Sequence, residues 1–398
     1  MKYISLSKIY YSDKTHYEEI YQKRYTSESS YRFDFSISDN PAFLFLTPEL
    51  FQLIDKIMIL NDKLNVLCYN IPYIAIDQYT RKCLIDEIQI TNDIEGVVST
   101  RHEINDALNE YSSGDSKKKK RFRGLVSKYA LLLERNEIPL KKCKDIRDLY
   151  DDFILEEVLE ENKANCPDGL YFRTGHVYVK NKHDRSIHEG LYPEEKIIEM
   201  MEQSLDLLND DSYGFLIRIA IFHYLFAYIH PFYDGNGRMT RFISSYLLSK
   251  RLNDLTCFRL SYTIKQNLTK YYKSFKITND KKNKGDLTTF VTDFFEILVA
   301  LVEDLCSSIE KRTEKYKHYE AQASNHLLPK DKDYKILIIL ISNTLFGNEG
   351  LSVETLSKIT KASVSTVRNI IAEYNAANLL SFTKDGKLKL YDVNLDKL

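Results

Sequence analysis

His230-Pro231-Phe232-Tyr233-Asp234-Gly235-Asn236-Gly237-Arg238-Met239-Thr240-Arg241 is the stretch on which the reading of this chain turns. It lies between an apolar segment, Phe215 to Ile229, and a second helical pattern that runs RMTRFISSYLLSKRL. The first N–H groups of a helix have no intrahelical acceptor, and the helix dipole favours negative charge beside them. Gly235 and Gly237 let the main chain turn tightly there and approach a ligand without side-chain clash. Such a nest suits phosphate oxygens. Arg238 and Arg241, three positions apart, share a helix face and can add planar, bidentate contacts to the same phosphates. Asp234 at the loop entrance is placed to hold magnesium, a hard cation that takes one or two protein carboxylates plus phosphate oxygens. His230 has the one side chain able to accept a proton near neutral pH without a large shift in pKa. An isolated Asp-Gly-Asn-Gly would read as an ordinary turn beside a core histidine. A base, a metal ligand and an anion nest within twelve residues instead imply transfer chemistry on a nucleotide phosphate.

HPFYDGNGRMTR resembles, without gap or substitution at the defining positions, the Fic family signature H-P-F-x-D/E-G-N-G-R-x-x-R. The resemblance implies a protein adenylyltransferase that moves AMP from MgATP onto a Tyr, Thr or Ser hydroxyl of a target protein, and onto itself. By it, His230 deprotonates the target hydroxyl, Asp234 binds Mg2+ through the alpha and beta phosphates, and Gly235 to Arg238 form an anion hole. Asn236 helps fix the alpha phosphate and Arg241 holds the gamma phosphate. Met239 and Thr240, inside the signature, are counted with the nucleotide-binding residues.

Upstream, Thr91-Asn92-Asp93-Ile94-Glu95-Gly96 resembles the family's S/T-x-x-x-E-G/N inhibitory motif. In the class where that helix precedes the core, the resemblance pairs Glu95 with Arg241 in competition with ATP. At an effective dielectric near 20, such a contact at about 4 Å is worth roughly 4 kcal/mol before desolvation. Residues 171–190 alternate Tyr171, Arg173, Val177 and Val179 around polar positions, which predicts a short hairpin. It resembles the family's flap, which aligns the target by main-chain pairing, and places Val179 to Lys182 nearest the nucleotide, with Val179 and Lys180 counted among the nucleotide-binding residues. His183 and His188 stand in this flap where relatives commonly have proline. Tyr271-Tyr272 followed by Asn279 resembles an element lining the adenine pocket.

Around these motifs the chain reads as mainly α. The expected organisation is an N-terminal helical region over 1–115 bearing the inhibitory helix, a Fic-type helical core over 116–325 with a small β-hairpin flap, and a winged helix-turn-helix over 326–398. The hairpin at 171–190 is the only strand-like feature predicted before the C-terminal unit. The basic run SSGDSKKKKRFR at 112–123 reads as an exposed connection. In the last unit, Ser363 to Tyr374 is the candidate recognition helix, with Ser365, Thr366, Arg368 and Asn369 as groups that could meet DNA. Only Lys361 and Arg368 are basic there, so DNA contact and protein contact both stand as partners for it.

Lys and Arg number 56 against 57 for Asp and Glu, so no overall field draws the protein to nucleic acid or membrane. Six cysteines lie scattered without a C-x-x-C pair, as expected of reduced thiols in a cytoplasmic protein. The amino terminus lacks the apolar run of a signal peptide. The segment 215–229 carries Arg218 and His223 and is too short for a span of about 20 residues, so no membrane partner is expected. Three alternatives remain: removal of AMP from a modified protein on the same fold, with Glu95 activating water; a DNA-binding regulator whose core senses nucleotide; and a different donor, such as another nucleotide or a nucleotide-linked alcohol. Oligomeric state is left open, a homodimer included.

Overall fold

The structure, a computed structural model, describes residues 3–113, 121–134, 136–180, 186–328, 331–385 and 388–398. The chain begins with helices α1 (Leu6–Ser12) and α2 (Tyr17–Tyr25), then an antiparallel hairpin of β1 (Ser30–Ile37) and β2 (Asn40–Phe45). This hairpin corrects the expectation that residues 171–190 hold the only strands before the C-terminal unit. The signal was present: in SYRFDFSI, Phe33, Phe35 and Ile37 alternate with exposed Arg32, Asp34 and Ser36, the period of a half-buried strand. Ser38 and Asp39, both at positive φ (50° and 65°), make the two-residue turn.

Long helices α3 (Pro48–Tyr69) and α4 (Tyr73–Ile94) follow, then α5 (Arg101–Ser113), α6 (Arg123–Leu133) and α7 (Cys143–Tyr150). A π-helical turn, Asp151–Leu155, joins α7 to α8 (Glu156–Glu161). The flap is a small antiparallel pair, β3 (Tyr178–Lys180) and β4 (Ser186–Glu189), with Tyr178 opposite Glu189. Its expected tip, including His183, lies outside the described residues, as does most of the basic run at 112–123. Next come α9 (Glu194–Asn209), α10 (Phe215–Ile229), α11 (Asn236–Ser249), α12 (Leu260–Gln266), α13 (Leu268–Thr278) and the long α14 (Thr288–His326). The chain ends with α15 (Lys332–Phe346), α16 (Val353–Thr360), α17 (Val364–Ala376) and the antiparallel hairpin of β5 (Leu380–Asp385) and β6 (Leu388–Val393). Among the described residues, no helix is long and apolar enough to cross a membrane.

The chain divides into two compact units, Met1–Asn61 with Ile85–Val302, and Asp62–Leu84 with Glu303–Leu398. These units do not follow the expected boundaries 1–115, 116–325 and 326–398. The reason lies in β2: the Phe43 N–H donates to the Gly285 carbonyl (3.1 Å), and the Leu287 N–H donates to the Phe43 carbonyl (2.9 Å). The leading residues are thereby tied to the segment before α14. In the first unit α10 is the central helix, buried at every residue except Phe215 and Ala227. A helix that is apolar all round is a core helix, which is why this one shows no sequence periodicity. Its two polar interruptions are engaged: Arg218 donates through Nη1 to the Leu208 carbonyl (3.0 Å), and the His223 ring lies 2.8 Å from both the Ser244 and Tyr271 hydroxyls.

In the second unit α15, α16 and α17 run in succession to the β5–β6 hairpin, the element order read from the sequence. Ser363 caps α17 by accepting the Thr366 N–H (3.1 Å), and its hydroxyl lies 2.8 Å from those of Ser365 and Thr366. The first turn of the candidate recognition helix is thus engaged in its own cap.

Buried carboxylates in the first unit make its stability depend on pH. Glu87, fully buried on α4, accepts the N–H of Ser261 at 2.8 and 2.9 Å and that of Tyr262 at 3.4 Å, capping α12. Burial nevertheless pushes its carboxyl up to about 7, because loss of hydration outweighs those bonds. The folded state then holds the proton more tightly than the unfolded chain does. The resulting stability is full below about pH 4.5 and is lost as pH rises through about 7, a span of about 3 kcal/mol. Urea unfolding is expected to show lower stability at pH 8 than at pH 6, with a shallower dependence in Glu87→Gln. A Glu87→Gln protein with the full wild-type pH dependence would contradict this.

Candidate active site

α10 closes at His230, whose N–H reaches the Phe226 carbonyl (3.0 Å) and whose φ of 52° is left-handed. A non-glycine residue holds that conformation only where its surroundings impose it. Arg173 does so: Nε donates to the His230 carbonyl, Nη2 to the Leu191 carbonyl (both 2.9 Å) and its N–H to the Pro231 carbonyl (3.2 Å). This wholly buried arginine was expected on a flap strand. It is instead the clamp that fixes the histidine's main chain.

The loop after His230 is closed by Asn236, whose Oδ1 accepts the Phe232 N–H (2.9 Å) while Nδ2 donates to the Phe232 carbonyl (2.8 Å). Both ends of its side chain are therefore engaged within the loop, and what Asn236 can offer a phosphate is its main-chain N–H. Beneath the loop, Tyr150 stacks on Phe232 with centroids 3.7 Å apart and donates its hydroxyl to the Asp234 carbonyl (3.2 Å). Gly235 caps α11 at φ 79°, a conformation natural to glycine.

The first N–H groups of α11 belong to Asn236, Gly237 and Arg238. Beside them Asp234 accepts the Gly235 N–H through Oδ1 (2.5 Å), and its side chain stays 36% exposed. An exposed carboxylate edge next to an anion nest fits Mg2+ held mainly by phosphate oxygens. Among the described residues no three His, Cys, Asp or Glu side chains gather as a closed metal site. Arg238 supplies the sharper observation: it is wholly buried, and none of its three side-chain nitrogens has a hydrogen-bond partner. Its nearest carboxylates are Glu157 at 3.5 Å and Asp234 at 4.0 Å. Buried donors without acceptors are costly, and an anion in the nest would satisfy them.

Arg241, also buried, is engaged by the end of α4: Nε donates to the Thr91 hydroxyl (2.9 Å), and Nη2 to the Thr91 carbonyl (3.0 Å) and the Glu95 carboxylate (2.8 Å). The Glu95 carboxylate also lies directly against the α-carbon of Gly237, where an added Cβ would fall 2.1 Å from Oε1. The two motifs found far apart in sequence thus meet, and Glu95 occupies the mouth of the nest.

Other expected site residues fall less directly. Met239 is buried with its N–H on the Gly235 carbonyl, and the Thr240 hydroxyl donates to the Asn236 carbonyl. Neither presents a group to the nest. Tyr271 is buried with its hydroxyl against His223. Asn279 accepts from the Tyr224 hydroxyl (2.6 Å) and lies 3.4 Å from His188 of the flap. Val179 and Lys180 supply main chain to β3, and their side chains lie outside the described residues.

Burial, with the nearby His188 and Arg173 adding to it, lowers the His230 pKa to about 3, so its imidazole is neutral at physiological pH. Burial likewise pushes the Glu157 carboxyl up to about 7, although Arg238 opposes it. Periodicity alone could not single out Arg173, Tyr150 or Glu157, because what matters is the part of the loop each one meets.

Residues 142–248 match the Fic/DOC family. The protein adenylyltransferase Fic of Drosophila willistoni is 31% identical over 172 residues, covering 42% of this chain and 29% of that protein. Protein adenylyltransferase fic-1 of Caenorhabditis elegans is 27% identical over 157 residues, 37% of this chain and 28% of that protein. The chain therefore spans less than a third of the length of either relative. A crystal structure of a Fic family protein from Desulfovibrio desulfuricans G20 shares the fold, with a TM-score of 0.53 at 20% identity over 88% of this chain and 97% of that one.

Proposed function

We propose that this chain is a protein adenylyltransferase that transfers AMP from ATP to a hydroxyl of a target protein and of itself, with activity held low by Glu95. The observation that carries the reading is the set of unsatisfied Arg238 nitrogens at the N-terminus of α11. They belong to the same twelve-residue stretch as Asp234 and His230, whose imidazole is neutral.

In this reading the triphosphate lies along the start of α11, with Arg238 and the first-turn N–H groups on its oxygens and Arg241 at its far end. The target hydroxyl oxygen forms a bond to the alpha phosphorus as the bond to the bridging oxygen breaks and pyrophosphate leaves. His230 accepts the hydroxyl proton. Mg2+, when held by Asp234 and the phosphates, would supply charge neutralisation for the leaving group. The main-chain edges of β3 and β4 offer a surface along which an extended target segment could pair.

Purified Glu95→Gly protein, incubated with lysate and ATP labelled at either the alpha or the gamma position, tests the proposal. Retention of alpha label on protein is the expected result. Retention of gamma label would mean phosphoryl transfer, and release of AMP from an adenylylated target by the wild-type protein, which keeps Glu95, would mean hydrolytic removal of AMP.

A further inference from the structure

Glu157 has no part in the chemistry above, yet it is buried, and neither of its carboxylate oxygens has a hydrogen-bond partner. It belongs to α8, directly after the π-helical turn Asp151–Leu155. Insertions of this kind inside helices are frequent at functional sites. Three side chains from this one segment come under the signature loop: Tyr150 bonds the Asp234 carbonyl, Ile154 lies against Gly235, and Glu157 faces Arg238.

The guanidinium of Arg238 is held between two carboxylates of different character. Nη1 is 3.5 Å from Glu157, which is 7% exposed, and Nη2 is 4.0 Å from Asp234, which is 36% exposed. Because the guanidinium is a rigid plane, holding one terminal nitrogen sets the direction of the other. The charge of Glu157 therefore draws Nη1 to the buried side and leaves Nη2 on the side of Asp234 and the anion nest. Neither approach is a hydrogen bond, so all of the donors remain available to a ligand. An arginine drawn tightly to Glu157 by bidentate bonds would have fewer donors left for phosphate.

We propose that Glu157 is the positioning residue of the nucleotide site, orienting Arg238 toward the triphosphate from the buried side of the loop. The role rests on the adenylyltransferase reading and adds a residue outside both sequence motifs. It acts on binding that is common to ground state and transition state, so it should appear in KM for ATP more than in kcat.

The test uses the 398-residue chain in a Glu95→Gly background and reads the affinity for a non-hydrolysable ATP analogue by calorimetry alongside steady-state rates. Glu157→Ala is expected to weaken analogue binding and raise KM for ATP about tenfold, with kcat changed less than threefold. Glu157→Gln, which keeps the size of the side chain and removes the charge that draws Nη1, should lose affinity as Glu157→Ala does and guards against loss of packing in the alanine variant. In an Arg238→Ala background Glu157→Ala should have no further effect on affinity, since a residue acting through Arg238 couples fully to it. A merely structural Glu157 would lower the melting temperature and leave KM unmoved, or would add its effect to that of Arg238→Ala. Either outcome overturns the role while the adenylyltransferase reading stands. If the Glu95→Gly protein with Glu157 intact binds no analogue at all, the reading and the role fail together.

Discussion

Glu95→Gly is expected to raise the rate of AMP incorporation between ~10-fold and ~1000-fold at subsaturating ATP. Two separate obstacles disappear in the variant. The carboxylate that pairs with Arg241 at 2.8 Å is removed, freeing the cation proposed for the far end of the triphosphate. The space against the Gly237 α-carbon, where Oε1 now lies, opens to the ligand. The upper figure corresponds to roughly 4 kcal/mol for a unit ion pair at short range in a medium of dielectric near 20. The lower figure allows for solvent screening, because the Glu95 side chain is 28% exposed. Arg241 should keep its position in the variant, since Thr91 holds it through two further hydrogen bonds. The measurement is the initial rate of labelled AMP incorporation across an ATP titration, with Glu95→Gln beside it. Glutamine retains the volume and loses the charge, so a rate between the other two apportions the obstacle between steric blocking and ion pairing. Equal rates in wild type and Glu95→Gly would remove Glu95 from any inhibitory part.

The second large effect concerns His230. In the activated Glu95→Gly background, His230→Ala should lower kcat by ~10² to ~10⁴ while analogue affinity changes little, since the residue is proposed to act on the attacking hydroxyl and not on the phosphates. Its pH behaviour gives a second readout. Burial holds the ring's pKa down to about 3, so the neutral, proton-accepting form is present throughout the neutral range and is lost only in strong acid. The free-enzyme profile, kcat/KM, should accordingly show no loss attributable to His230 between pH 8 and 6. A bound triphosphate brings negative charge to the loop and raises the imidazole's pKa, improving its match to proton transfer at neutral pH. The acid limb of kcat should thus lie at higher pH than that of kcat/KM. A His230→Ala protein retaining full kcat would exclude the residue as general base, and identical acid limbs in the two profiles would exclude its tuning by nucleotide.

The candidate site was legible in sequence to the extent that its parts are contiguous. His230, Asp234, Gly235 and Arg238 lie within one helical end, one turn and one helical start, and local geometry alone brings them together. The pairing of Glu95 with Arg241 was expected from the family resemblance, and the structure brings the two side chains to 2.8 Å. Asn236 was assigned to the phosphate because of its place in the signature. Its reciprocal bonds to Phe232 depend on how the loop curls, which residue identity does not reveal. Tyr271 was taken for a pocket wall, but the neighbour that settles its direction is the buried His223 of α10. The β1 hairpin was missed although its alternation is plain, because its partner strand reads as the start of a helical stretch.

Residue types and their spacing were enough to locate the tight turn before α11, the histidine proposed as proton acceptor, the carboxylate proposed for Mg2+ and the core helix α10, since each depends on backbone geometry within a few neighbours. The fold alone selected, from 57 acidic residues, Glu157 to face Arg238 and Glu95 to lie over Gly237. A helix pattern specifies which side chains share a face but carries no record of what that face will meet. That is determined only when distant segments pack and every buried charge must find a counter-charge or remain in want of one.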